Sequence, residues 1–230
     1  MESIPNHLAI ILDGNRRFAK KNNLDSLKGH DQGYTNIKNV LDWCKEVDIK
    51  ELTLYTFSTE NFNRPKKEVN YLMKLFVKAF SEFKTDKRIK DIRINIIGRI
   101  HLFPQKLQKI MYDLMEMTKS HTKFILNFAM GYGGRSEIID ATKKIAQQIK
   151  ENKLDIENID EETFKKNLYL NSEPDLIIRT SESRLSGFLT FQSVYSEIIF
   201  LPNKLWPEFS KTDFLSCLQE FSRRKRRFGA

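Results

Sequence analysis

A chain of 230 residues is long enough to bury a sizeable core and short enough to fold as one domain, so a single unit over 1–230 is expected. Its 40% hydrophobic and 30% charged residues exclude a disordered chain, and no apolar run approaches the ~20 residues that span a bilayer. The net charge of +9 favours an anionic partner (phosphate esters, nucleic acid or an acidic membrane surface), while two distant cysteines exclude a disulfide framework or a cysteine-rich zinc site.

In chain order, Leu8-Ala9-Ile10-Ile11-Leu12 is too short for an ordinary helix and reads as a strand buried on both faces. It ends abruptly in Asp13-Gly14-Asn15-Arg16-Arg17, followed by a helix. Ligands of open α/β sheets bind beyond the carboxyl ends of strands, and a glycine there lets the backbone approach an anion. The local sequence leaves two readings open. One is a phosphate cradle clamped by Arg16 and Arg17, with a divalent cation between Asp13 and the phosphate; the other is a helix N-cap aspartate followed by solvated arginines.

Ile37, Val40, Leu41, Cys44 and Val47 fall at helical spacing, predicting a helix over 33–48. The apolar stretch 52–57 reads as a second buried strand that runs into a polar loop, 58–65, closed by proline. Val69, Leu72, Met73, Phe76, Phe80 and Phe83 mark a long helix, residues 92–97 a third strand, and Leu107 to Leu114 another helix. A fourth strand, 124–129, ends at a glycine-rich turn and is followed by a helix through Ile149. A short surface helix is expected around Phe164 and Leu168, a fifth strand at 176–178, a sixth at 198–201, and a last helix over 214–221 before a basic tail. The alternation predicts an α/β fold whose mostly parallel, six-stranded sheet is flanked by helices. Seventeen phenylalanines fit either a large apolar cavity or heavy core packing.

P-loop, GxGxxG, HExxH, GxSxG and CxxC patterns are absent, the four histidines lack metal-ligand spacing, and there is no DDxxD run. Three polar clusters at strand ends, 13–17, 58–64 and 179–186, would together make a site for two diphosphates. The ordered set DGNRRFA, Gly29-His30, FSTENFNRP, GGR, IIRTSESRLSGFLTFQS, Glu197, LWPEF and terminal RRFG resembles the cis-prenyltransferases, the undecaprenyl diphosphate synthase family, over essentially the whole chain. Arg16, where bacterial members usually carry glycine, is similar to the archaeal and eukaryotic branch.

The resemblance implies that Asp13 binds Mg²⁺, that Gly14, Asn15, Arg16 and Arg17 hold an allylic diphosphate, and that Phe18 and His30 line the same site. It implies substrate contacts from Ser58, Thr59, Glu60, Phe62 and Arg64, with Asn61 at the position described as proton acceptor. An amide is a poor base, so orienting isopentenyl diphosphate suits Asn61 better, a diphosphate oxygen or Asp13 taking the proton. Arg179, Arg184, Leu185 and Ser186 would hold isopentenyl diphosphate, Glu197 would join the metal, and Ser26 stands where many bacterial members have a further arginine. Arg227 and Gly229 match an element that reaches the partner's site in a homodimer.

The implied reaction adds isopentenyl diphosphate repeatedly to farnesyl or geranylgeranyl diphosphate and makes an undecaprenyl-like chain, precursor of a glycosyl carrier lipid. The growing chain needs an apolar tunnel, and the helices near 69–83 and 107–117 are its candidate walls. A cytoplasmic protein with peripheral membrane contact for product release is expected. The rivals are a nucleic-acid-binding protein, for which no recognition motif is present, and a non-catalytic partner subunit, which would not need Asp13, Arg17, Arg179 and Arg184.

Overall fold

The computed structural model describes residues 3–224. Six strands form one sheet: β1 (His7–Ile11), β2 (Glu51–Ser58), β3 (Ile92–Ile97), β4 (Phe124–Tyr132), β5 (Leu176–Thr180) and β6 (Glu197–Leu201). Their order is β3-β4-β2-β1-β5-β6 and every pairing is parallel. Seven α-helices connect and cover them: α1 (Asn15–Lys21), α2 (Lys28–Glu46), α3 (Lys66–Phe83), α4 (Gln105–Thr118), α5 (Gly134–Lys150), α6 (Glu161–Asn167) and α7 (Lys211–Arg223).

Successive strand residues point to opposite faces, so both faces must find apolar partners. On one face Leu8, Ile10, Leu52, Leu54, Ile94 and Phe128 join a large core with side chains of α2, α3, α4 and α7. On the other, Ala9, Ile11, Ala129 and Ile177 pack with Leu170, Phe188 and Leu189. The buried Glu137 of α5 ties this second layer together, accepting from Tyr169 N (2.8 Å), Leu170 N (3.2 Å) and Gln192 Nε2 (3.1 Å). Burial raises the pKa of that carboxyl despite these bonds.

The chain runs from β1 to β2, passes to the edge strand β3, comes back to insert β4 between β3 and β2, and then crosses to the other side of β1 for β5 and β6. This makes β1 the strand where the sheet's order reverses, the usual position of a crevice in a parallel sheet. Because all strands are parallel, the polar clusters that follow β1, β2 and β5 emerge along one edge.

Candidate active site

Past the end of β1 the chain turns at Gly14, whose φ of +110° belongs to the left-handed side of the map. A Cβ there would stand 2.3 Å from Ser181 Oγ. Thr180 Oγ1 (2.7 Å), Ser181 Oγ (3.1 Å) and Trp206 N (2.9 Å) all donate to the carbonyl of Asp13, so β5 and the segment after β6 fix this turn. Gly14, not Asp13, is the N-cap of α1, and no side chain caps that helix. The N-cap reading of Asp13 is therefore excluded.

The Asp13 carboxylate faces two arginines instead. Its Oδ2 lies 3.1 Å from Arg17 Nη2 and 3.1 Å from Arg179 Nη2, while Oδ1 has no hydrogen bond among the described residues. Arg179 is only 4% exposed although it belongs to β5. It also donates to Ser186 Oγ (2.7 Å) and to the Arg184 carbonyl, and its buried Nε has no hydrogen-bond partner among the described residues. Arg17 Nη1 reaches the Ser181 carbonyl (3.0 Å) and Glu182 Oε1 (3.1 Å), and Arg184 pairs with the same carboxylate through Oε2 at 2.7 Å.

A second ionic knot joins the other side of the mouth. Glu68 on α3, 8% exposed, accepts from Arg64 Nη1 at 3.0 Å, with His30 Nε2 at 3.2 Å and Arg16 Nη1 at 3.6 Å. Burial lowers the pKa values of both His30 and Arg64 even though Glu68 opposes the shift. Asn61 lines the mouth, and its Oδ1 already accepts from the Ser58 backbone N–H at 3.2 Å.

From this rim a cavity of about 800 Å³ runs between α2, α3 and the sheet. Asp13, Gly14, Asn15, Arg16, Arg17, His30, Ser58, Glu60, Asn61, Arg64, Arg179, Arg184 and Ser186 line its polar end. Leu72, Leu75, Phe76, Ala79, Phe80 and Phe83 of α3, with Ile37, Phe57 and Phe128, line its apolar end. The arrangement holds an amphiphile with an anionic head at the arginines and a hydrocarbon tail along α3.

Other expected residues stand elsewhere. Phe18, Thr59, Phe62 and Leu185 are half-buried beside the cavity residues but do not line it. Ser26 is exposed in the turn between α1 and α2. Glu197 opens β6, paired in register with Leu176 at the opposite end of the strands, and its carboxylate is held by Arg224 Nη1 at 2.9 Å. Within one chain it does not join Asp13, a correction to its expected place at the metal. The α4 helix contributes Leu107, Met111 and Leu114 to the core and nothing to the cavity wall, so only α3 of the two expected helices serves. Arg227 and Gly229 lie outside the described residues. Sequence reasoning missed Glu68 and Glu182; the signals were the i,i+4 spacing of Arg64 and Glu68, and the place of Glu182 between two site arginines.

Among the described residues no three acidic, histidine or cysteine side chains cluster as a metal cage. Mg²⁺ does not need one: it is held by one or two carboxylates together with substrate phosphates, and an Asp13 carboxylate with an uncommitted Oδ1 at a basic rim fits that donor set.

A parallel sheet with an arginine-rich mouth at its order-reversing strand, opening into a hydrocarbon-lined cavity, defines a class: an enzyme for prenyl diphosphates. The comparisons make it particular. The family model described as "Putative undecaprenyl diphosphate synthase" matches residues 11–229. The chain is 46% identical to the tritrans,polycis-undecaprenyl-diphosphate synthase (geranylgeranyl-diphosphate specific) of Pyrococcus horikoshii over 98% of this chain and 87% of that protein. It is 46% identical to the protein of the same name from Methanocaldococcus jannaschii, over 99% and 84%.

Among solved structures, lavandulyl diphosphate synthase from Lavandula x intermedia in complex with dimethylallyl diphosphate superposes with a TM-score of 0.92 at 35% identity, covering 99% of both chains. A probable undecaprenyl diphosphate synthase from Campylobacter jejuni gives 0.82 at 32% identity, covering 100% of both. The chain belongs to the undecaprenyl diphosphate synthase family and is a cis-prenyltransferase.

Proposed function

We propose that the chain adds isopentenyl diphosphate repeatedly to geranylgeranyl diphosphate and releases a long, undecaprenyl-like polyprenyl diphosphate that serves as precursor of a glycosyl carrier lipid. The observation that carries this reading is the continuity of one cavity from the Asp13, Arg17 and Arg179 cluster to the phenylalanines of α3. The starter follows the names of the archaeal relatives, with farnesyl diphosphate as the alternative.

In this reading Arg16 and Arg17 hold the allylic diphosphate and Arg179, Arg184 and Ser186 the isopentenyl diphosphate. These guanidiniums pair with Asp13, Glu68 and Glu182, and two diphosphates exchange those partners for their own oxygens. The chemistry that Mg²⁺ on Asp13 supplies when bound is neutralisation of the departing diphosphate. The allylic C1–O bond breaks, the terminal carbon of the isopentenyl double bond bonds to C1, and a proton leaves C2 to set the new cis double bond.

Asn61 orients the acceptor through its amide N–H₂, since its Oδ1 is engaged by Ser58; a diphosphate oxygen or Asp13 takes the proton. The reading includes a homodimer, supported by exposed Val194 and Tyr195 just ahead of the edge strand β6. It also includes a peripheral membrane contact, because the product is a long hydrocarbon and no helix among the described residues can cross a bilayer.

The test is incubation with labelled isopentenyl diphosphate, Mg²⁺ and either starter, with products resolved by length. Long polycis products, formed faster from geranylgeranyl diphosphate, are expected. Failure to incorporate label with either starter would overturn the reading.

A further inference from the structure

Three donors hold the carbonyl of Asp13, and they do not have equal support. Thr180 and Ser181 come from the end of β5, which pairs with β1. The third, the Trp206 N–H at 2.9 Å, comes from a turn over 205–209 that follows the edge strand β6 and belongs to no strand. In the proposed reaction two diphosphates take over Arg17 and Arg179, so the Asp13 carboxylate gives up its side-chain partners when substrate binds. From then on its place is set by its backbone, and the support of the 205–209 turn matters.

That support comes from α2. Asn36, only 5% exposed, donates from Nδ2 to the Trp206 carbonyl at 2.8 Å and to the Phe209 carbonyl at 3.0 Å, which commits both hydrogens of its amide. One turn earlier on the helix, the Gly33 carbonyl accepts from Trp206 Nε1 at 2.9 Å. A Cβ on Gly33 would stand 2.3 Å from Asn15 Oδ1 and 3.0 Å from Trp206 Cδ1, so the bare backbone of α2 comes against the start of α1 and the 205–209 turn together. The Trp206 ring stacks on Phe209 with centroids 5.7 Å apart and lines the cavity, as Gly14 and Gly33 do.

We propose that Asn36 is a positioning residue for the condensation: it braces the 205–209 turn against α2, and the Trp206 N–H passes that brace to Asp13. This rests on the assignment of Asp13 above. Asn36 is not among the residues that line the cavity, so it acts through Trp206 and not on substrate. A leucine in its place keeps nearly the same volume and donates nothing, which leaves two buried carbonyls short of a donor and loosens the turn. A displacement of about 1 Å at a reacting group costs about 10²-fold in rate, so a loosened Asp13 should show in turnover before it shows in substrate binding.

The experiment compares the full chain with Asn36→Leu, Asn36→Ser and Val40→Ala. Val40, one turn further along α2 and 0% exposed, has no polar side-chain atom, so its truncation weakens the fold without removing a hydrogen bond to the turn. In Asn36→Leu, kcat should fall about thirtyfold or more while KM for isopentenyl diphosphate and for the starter each stay within about threefold; Val40→Ala should keep kcat within about twofold despite a lower melting temperature. Asn36→Ser, small and keeping one donor, should fall between them and carries the test if leucine prevents folding. Exchange of the Trp206 amide proton, followed by NMR, should be about tenfold or more faster in Asn36→Leu than in Val40→Ala, and this measurement needs no turnover. A folded Asn36 variant whose kcat falls no further than that of Val40→Ala, or whose Trp206 amide exchanges no faster, would overturn the inference. If Asp13→Asn turns over like the parent, the assignment of Asp13 fails and the inference with it; if Asp13→Asn is inactive while both Asn36 variants match the parent, the brace alone fails.

Discussion

Replacing Asp13 with asparagine removes a charge and almost no volume, so its consequences can be worked from the contacts. The carboxylate serves two guanidiniums at 3.1 Å each. The Arg17 side chain is 47% exposed, and a pair at that exposure is worth ~0–1 kcal/mol. Arg179 is buried, and its charge-assisted hydrogen bond is worth ~1.5–3 kcal/mol. Folding should therefore weaken by roughly 2 kcal/mol, lowering the melting temperature by about 4–8 °C for a chain of this size. No helix-capping loss adds to this, because Gly14 occupies the N-cap.

Catalysis should suffer far more from the same change. Forfeiting several kcal/mol of Lewis-acid stabilisation costs on the order of 10³-fold or more in turnover. The assay is labelled isopentenyl diphosphate incorporation across a Mg²⁺ titration, beside a thermal melt. Turnover within tenfold of the parent at saturating Mg²⁺ would refute the assignment of Asp13, and a melting temperature equal to the parent's would refute the worth given to its bond with Arg179.

Arg184→Ala should raise KM for isopentenyl diphosphate about tenfold or more and leave KM for the starter nearly unchanged, because among the described residues its exposed guanidinium pairs with Glu182 alone; an equal rise in both would indicate loss of a general positive field. Arg179 is a poorer probe of the same question, since it also braces Asp13. Gly14→Ala combines left-handed strain with a Cβ 2.3 Å from Ser181 Oγ, and a loss of about 1–3 kcal/mol is expected in urea unfolding; Ser181→Gly should recover only part of it, and full recovery would show that φ is not the constraint. Burial pushes the His7 pKa below its ordinary value of 6.5 although Glu51 opposes this. The unfolded chain then takes up the proton first, so stability is level above pH 6.5 and falls as pH drops toward the folded pKa, by up to ~1.4 kcal/mol per pH unit. His7→Gln should flatten that slope in urea midpoints between pH 8 and 5, leaving a remainder from His30; identical slopes would exclude His7 as a source.

Strands buried on both faces, such as β1 and β5, announce themselves as apolar runs, and the partly exposed edge strands β3 and β6 kept enough isoleucine to be legible as well. Their ends were less so, because the residues that extend them answer to the site instead of the core. Arg179 and Thr180 complete β5 as buried polar side chains, one bracing Asp13 and the other bonding its carbonyl, so the sequence there reads as loop. The start of α2 was missed for the same reason. Residues 28–32 carry no apolar period, yet Gly29 and His30 are buried, the glycine against the Asn15 carbonyl and the histidine against Glu68.

Carboxylates were the least legible part of the site. Glu68 falls on an amphipathic helix, where an acid reads as a solvated face until a partner from another element is placed against it. Resemblance supplied the arginines, but it could not supply Glu68 and Glu182, the acids with which four of them pair. Glu197 shows the converse. Its assignment came with the resemblance, and a parallel register that levels it with Leu176 sends it to the far end of the sheet from Asp13. A role for Glu197 at the metal would therefore require a second chain to bring the two ends together. A mixture of Asp13→Asn and Glu197→Gln subunits distinguishes the cases: activity regained after subunit exchange would mean that one site draws its two acids from different chains, whereas a Glu197→Gln protein as active as the parent would remove Glu197 from the reaction altogether.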